Sequence, residues 1–337
     1  MSRITHTLKA LALAAVGGLF ALNAAAQSAP ATVRIGSTAP GHLKFILAQH
    51  HNSFDKEFAK ENIKFDLLPF TGGGSEAVTA LATGAVDIAY IGNNPALRAA
   101  AQKANIKLVG TSSFVRNSGA YIIVPVNSPI KTLKDLKGKK VAYLAGTVRH
   151  STLTKALKSV GLTGKDIESL NLPFEASGPA LARGDIDAIV ESDNVAATLL
   201  EKNAARILLD AGNHPEWAVP NVIVVNGDFA KKYPEVLKRV LKVDLQLATW
   251  ADANYEETIK IFTTRTKSSE KAVRNNYKDG RFNQDPRLTD EVLAALKGEE
   301  EFMESAGLLK GSVDYAKWVD KSFVDAAYAG AAVAAKQ

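Results

Sequence analysis

The chain has 337 residues, no cysteine, and 41 Lys and Arg against 35 Asp and Glu, for a formal net charge of +6. Without a thiol there is no disulfide framework, no thiolate metal site and no cysteine nucleophile. The basic residues are scattered, with no Lys/Arg block that would point to nucleic acid. The length exceeds what one hydrophobic core usually fills, roughly 250–300 residues, so two cores are expected.

Residues 1–26 read as an export signal. Arg3, His6 and Lys9 make a basic start, residues 10–22 an apolar run too short to span a bilayer, and Ala24, Ala25 and Ala26 a small-residue cleavage site. Removing them leaves a net charge of about +4 and a start near Gln27. No cysteine follows to carry a lipid, so the expectation is an untethered periplasmic protein.

Strand and helix patterns then alternate. A β-branched run at 33–36 (VRIG) leads through a polar loop into helical spacing over 43–58, followed by a strand at 64–68. Gly72, Gly73, Gly74 and Ser75 open a helix at 77–83. A strand at 86–91 ends at Gly92-Asn93-Asn94-Pro95, with Pro95 in a first helical turn, and a strand at 107–112 follows. A second set begins at 120–126. It continues with a short polar helix within 128–137, a strand and helix over 139–157, and strands at 170–173, 185–190, 206–210 and 221–225. Beyond Asp228 the pattern is helical. Such alternation predicts mostly parallel, doubly wound sheets.

Residues 81–89 (LATGAVDIA) resemble 181–189 (LARGDIDAI), and VRIGSTAPGHLKFILA echoes VAYLAGTVRHSTLTKAL. Each of the first pair is a helix end, a glycine stop and an Asp at a strand start. Gly84 and Gly184 are expected in the left-handed conformation. Two matches in the same order predict two related α/β domains. Asp87 and Asp187 then share a turn role.

Ligands of open α/β sheets lie on the loops after the carboxyl ends of the strands. Those loops carry Ser37 and Thr38, Gly73 to Ser75, Asn93 and Asn94, Ser118 and Gly119, Thr147 to His150, Glu175 to Gly178, and Glu191 to Asn194. In the 146–151 corner, Thr147 suits an N-cap, and the helix start that follows offers amides and a dipole to an anion. Arg149 in that first turn runs against the dipole unless an anion is shared there. Glu191 and Asp193 are either helix caps or carboxylates for a ligand amine. His50 and His51 have no second cluster to complete a metal site. There is no GxSxG, HExxH or P-loop lysine, so catalysis is not expected. The aromatic residues of the tail and Glu299 to Glu301 read as core and solvated surface respectively.

LATGAVDIAYIGNNPAL, SPIKTLKDLKGKKVAYLAGTVRH and LARGDIDAIVES, in this order, resemble the periplasmic substrate-binding proteins of ABC importers. Within these, they are similar to the aliphatic-sulfonate, taurine and nitrate branch. The resemblance implies a type II-like fold of two lobes joined by two crossovers, with a helical C-terminal tail on the first. It places residues 27–118 and 225–337 in lobe 1 and 119–224 in lobe 2. It implies a non-enzymatic monomer that takes a small anionic solute, most simply an organosulfonate, and docks on a membrane permease, without metal or cofactor. Its binding loops carry over to Ser37, Thr38, Gly73, Gly74, Ser75, Asn93, Asn94, Ser118, Gly119, Thr147, Arg149, His150, Glu191 and Asp193. The sequence departs from the family where Gly-Ser-Asn-x-His becomes 146–150 and where Trp-acid-Pro-aromatic becomes 191–194. Loss of those aromatics favours a small or polar ligand. Nitrate, a phosphonate or an amine-bearing solute, and a pyrimidine-synthesis-like enzyme on the same fold, are the alternatives.

Overall fold

The structure, a computed structural model, describes residues 29–334 except 40–41, 71–72, 115–119, 173, 192, 215–216 and 278–279. The expected export signal and the candidates Ser118 and Gly119 lie outside the described residues.

The first set of elements runs β1 (Thr32–Ser37), α1 (Leu43–His51), α2 (Ser53–Glu57), β2 (Lys64–Pro69), α3 (Gly73–Ala82), β3 (Ile88–Ile91), α4 (Asn93–Ala101) and β4 (Ile106–Ser113). The second runs β5 (Tyr121–Pro125), β6 (Lys140–Tyr143), α5 (Val148–Ser159), β7 (Glu168–Asn171), α6 (Phe174–Arg183), β8 (Ala188–Glu191), α7 (Asp193–Glu201) and β9 (Ala205–Asp210). The chain returns through β10 (Asn221–Asn226) and continues in helices α8 (Gly227–Lys232), α9 (Pro234–Ala253), α10 (Tyr255–Thr266), α11 (Glu270–Asn276), α12 (Asp290–Ser305), α13 (Tyr315–Trp318) and α14 (Ser322–Ala334).

Two five-stranded sheets result, ordered β2-β1-β3-β10-β4 and β7-β6-β8-β5-β9. The two orders are the same pattern. In each, parallel strands are joined by one antiparallel strand that arrives from the other half of the chain, β10 in the first sheet and β5 in the second. The central strands β3 (IAYI) and β8 (AIVE) are buried at every position, as strands covered on both faces must be. The edge strand β2 (KFDLLP) is largely exposed.

Local chemistry explains the punctuation. Gly84 and Gly184 take φ of 71° and 79°, ending α3 and α6 alike. The helical spacing over 43–58 is two helices, because Asn52 turns left-handed at φ 52° between α1 and α2; asparagine tolerates that conformation better than most residues. Pro234 starts α9, where its missing N–H costs nothing.

Helices of the tail pack on both faces of the first sheet: Leu237, Val240, Leu241 and Val324 on one, Leu296, Phe302, Met303 and Trp318 on the other. Trp318 is buried on the second of these faces and Phe323 on the first, where Trp250 and Phe262 pack against the same core. The expected solvated run Glu299 to Glu301 is corrected at two positions. Glu299 and Glu300 are buried, Glu299 holding Ser151 and Lys155 of α5 and Glu300 accepting the Val313 N–H at 2.7 Å. Their charge reads as surface in one dimension; α12 happens to face both the second lobe and its own returning chain.

Candidate functional site

Where the two halves meet, a cleft of about 350 Å³ is lined by Thr38, Gly74, Ser75, Gly92, Asn93, Asn94, Pro95, Arg98, Gly146, Thr147, Val148, Arg149 and Asn221. Thr38 follows β1, Gly74 and Ser75 open α3, and residues 92–95 join β3 to α4, so the first sheet contributes its strand ends. The turn after β6 and the start of α5 contribute from the second. Asn221 begins β10, whose antiparallel sense puts its first residue at this edge; its amide donates to Ser113 Oγ at 3.1 Å.

The surroundings are rich in donors. α4 has Gly92 at its N-cap and α5 has Thr147, and neither helix has a side-chain cap. Thr147 instead donates its hydroxyl to the Leu144 carbonyl at 2.7 Å, correcting the expected capping bond. Amides of two helix starts therefore face the cleft with the positive ends of two dipoles. Asn93 and Asn94 are the first residues of α4, 1% and 2% exposed. Asn94 Nδ2 donates across the cleft to the Gly146 carbonyl at 3.3 Å. Both side-chain polar atoms of Asn93 and Oδ1 of Asn94 are buried without a hydrogen-bond partner. An unsatisfied buried amide costs about 1–3 kcal/mol, which a bound polar ligand would relieve.

Close approach requires two glycines. A Cβ on Gly74 would lie 2.3 Å from Cγ of Pro95, so α3 and α4 could not start side by side with any other residue. Gly146 has φ 74° and lies against the guanidinium of Arg98, which reaches it from the opposite half.

The candidates divide as follows. Thr38, Gly74, Ser75, Asn93, Asn94, Thr147 and Arg149 are brought together. Ser37 is not: it is fully buried and its hydroxyl serves the Ala39 turn. Gly73 only starts α3, at φ 77°. His150 packs away from the cleft, stacked on Tyr143 at 4.8 Å and edge-on to Phe302 at 5.4 Å, and burial lowers its pKa. Glu191 does not wait for a ligand amine. Its carboxylate pairs with Arg149 Nε at 3.0 Å and accepts the Ser177 hydroxyl at 2.6 Å. Asp193 opens α7, and its side chain is outside the described residues.

Arg98 and Asn221 were not anticipated. Arg98 follows Asn94 by four residues and so shares its helix face, a signal present in the sequence. Asn221 had none, since its place depends on β10 crossing into the first sheet. The two halves also touch beside the cleft: Ser151 donates to Glu299 at 2.7 Å, and Lys155 reaches the same carboxylate at 3.3 Å. No group of three or more His, Cys, Asp or Glu that could hold a metal occurs among the described residues.

Two sheets of one topology that exchange a strand each, with a polar cleft at their strand ends, define the two-lobed fold of periplasmic binding proteins. The chain belongs to the NMT1/THI5-like family, whose model matches residues 39–258. The taurine-binding periplasmic protein of Escherichia coli K12 is 38% identical over 192 residues, 56% of this chain and 58% of that protein. A second relative from the same organism matches over 61% of its length, so the chain spans about six tenths of these curated relatives. The periplasmic aliphatic sulphonate binding protein SsuA of Escherichia coli has the same fold, with a TM-score of 0.75, 24% identity, and 87% of this chain and 93% of that one covered. The desulfurization enzyme DSZB shares it as well, with a TM-score of 0.73, 18% identity, and 90% and 100% covered. The fold therefore carries both binding and catalysis, and the choice between them rests on the site.

Proposed function

We propose that this protein is the solute-binding component of an ABC importer, exported to the periplasm, and that it captures a small organosulfonate between its lobes. The observation that carries this reading is Asn93, buried with both side-chain polar atoms unpartnered, at a cleft where two uncapped helix starts and two guanidiniums converge. Each is a neutral or cationic donor suited to sulfonate oxygens. Among the described residues, the titratable side chains lining the cleft are Arg98 and Arg149. An arginine stays protonated in proteins and is a poor proton acceptor, which favours holding a ligand over transforming it. A volume of about 350 Å³ with no aromatic side chain among its described lining residues suits a short-chain ligand such as taurine or ethanesulfonate. The taurine-binding relative supports the same ligand class, and a membrane permease would read the closed state. Closure shifts toward the ligand-bound form only if that form binds more tightly.

The processed chain should melt roughly 3–5 °C higher with ethanesulfonate or taurine at a hundredfold excess over Kd. Asn93→Ala and Arg98→Ala should each weaken the effect at least tenfold in ligand concentration. Unchanged melting across alkanesulfonates, taurine, nitrate, phosphonates and sulfate would defeat the anion reading. Turnover of the sulfonate during incubation, followed by NMR, would move the protein to the catalytic side of the fold.

A further inference from the structure

The proposed capture leaves one buried charge at the cleft unused. Glu191 ends β8 with its side chain 2% exposed. Its Oε1 accepts the Ser177 hydroxyl at 2.6 Å and its Oε2 lies 3.0 Å from Arg149 Nε. The carboxylate thus stands behind the guanidinium and does not line the cleft, while Arg149 does.

The fold does not demand an acid there. Asp87 and Asp187 hold equivalent posts, each accepting a backbone N–H of the neighbouring strand at 2.8 Å, Arg34 in one sheet and Lys140 in the other. Counting four residues on, Glu191 occupies the place that Ile91 fills in the first sheet, and both are 1% exposed. One half completes this strand end with a hydrocarbon; the other buries a charge at a considerable desolvation cost.

We propose that Glu191 sets the charge of the ligand, so that the cleft takes a monoanion in preference to a dianion. This rests on the reading of the cleft as an anion site. Glu191 compensates the charge of Arg149 but occupies only part of its donor fork, which has five N–H groups. Arg149 then presents donors to the ligand without a net charge. Arg98 forms no ion pair among the described residues, and it supplies the positive charge that a single sulfonate balances. A second negative charge on the ligand would be buried without a counterion among the described residues and would be repelled by Glu191 through a medium that screens poorly. Glu191 acts through Arg149 and is a positioning residue.

Methanesulfonate and sulfate are near-isosteric, one a monoanion and the other a dianion at neutral pH. Calorimetric titration of the processed protein with each should give methanesulfonate an affinity at least about tenfold higher. In Glu191→Gln, which keeps the side-chain shape and an acceptor for Ser177, that ratio should fall about tenfold or more, or invert. A purely structural role would weaken both anions alike and leave the ratio unchanged, which would overturn the proposal. If the variant does not fold, the wild-type ratio decides: sulfate bound as tightly as methanesulfonate overturns it. A taurine preference lost in Glu191→Gln with the anion ratio unmoved would make Glu191 a receiver of ammonium and also overturn it. If the wild-type protein binds neither anion, the sulfonate reading falls too; if it binds methanesulfonate and the ratio stays put, only this inference falls.

Discussion

In the first sheet Asp87 accepts the Arg34 backbone N–H and also takes the Arg34 guanidinium through Nε at 3.1 Å and Nη2 at 2.8 Å; in the second, Asp187 accepts the Lys140 backbone N–H at 2.8 Å and, among the described residues, no side-chain donor. The scaffolding around these bonds is shared: strand order, glycine helix stops, and the antiparallel strand lent by the other half. The differences gather at the strand ends. The first half brings Asn93 and Asn94 to the cleft with polar atoms unsatisfied. The second brings Arg149 already paired to Glu191. A duplicated scaffold can thus keep its folding chemistry at the base of the strands while the two rims diverge, one toward neutral donors and one toward a compensated charge.

The halves differ inside as well. The first contains a buried ionic group in which Lys44 Nζ lies 3.5 Å from Asp244 and the Tyr90 hydroxyl donates to the same carboxylate at 2.6 Å. Burial pushes the Lys44 pKa down and those of Asp244 and Tyr90 up, the Tyr90 shift reinforced by Asp244. α9 supplies Asp244, so this group ties the tail to α1 and β3.

If the first half depends on that group, Asp244→Ala should be the most damaging single change, costing about 3–5 kcal/mol because it strands a buried ammonium. Urea unfolding at pH 7 measures it, and a loss below about 1 kcal/mol would mean that Lys44 finds water or neutralises at little cost.

Acid should then separate the halves. Burial, reinforced by Lys44, lowers the His42 pKa from 6.5 to about 3. His42 therefore folds neutral while the unfolded chain takes up a proton below pH 6.5, so stability falls as pH drops from about 6.5 toward 3. The contribution lost by pH 4 is on the order of 3 kcal/mol. His42→Asn should flatten that part of the pH profile in urea titrations. An unchanged slope would place the acid sensitivity elsewhere.

The smallest effect sharpens the comparison at its origin. Asp87→Asn loses a charge-assisted, forked contact and should cost about 2–3 kcal/mol, whereas Asp187→Asn should cost about 1 kcal/mol. Equal losses in paired denaturation curves would show that the guanidinium contact adds nothing to the shared backbone bond.

Much of the fold was legible because its signals are local. Short apolar or β-branched runs with glycine or polar stops overlap each described strand, the seventh two residues late at 170–173 against Glu168–Asn171, and the LATGAVD and LARGDID echo marks the shared pattern of the two sheets. Seven of the cleft residues followed from the rule that ligands gather at strand ends. The misses have different causes. Ser37 sits in the right loop but spends its hydroxyl on the local Ala39 turn, whereas His150 turns from the cleft onto Tyr143 and the distant Phe302. Glu299 lies in an acidic run with every mark of solvent, and its burial depends on α12 meeting α5, roughly 150 residues away in the chain.

Periodicity and turn chemistry act over a few residues, so the chain by itself determined its elements, the repeat, the glycine stops and the loops that would form a rim. Which charges compensate each other there is a matter of distances between atoms far apart in sequence. Packing of the halves made Arg149 and Glu191 a pair, set Arg98 against Gly146, and left Asn93 buried without a partner. A few ångströms in those separations decide whether a guanidinium is compensated or available, and only the assembled lobes fix them.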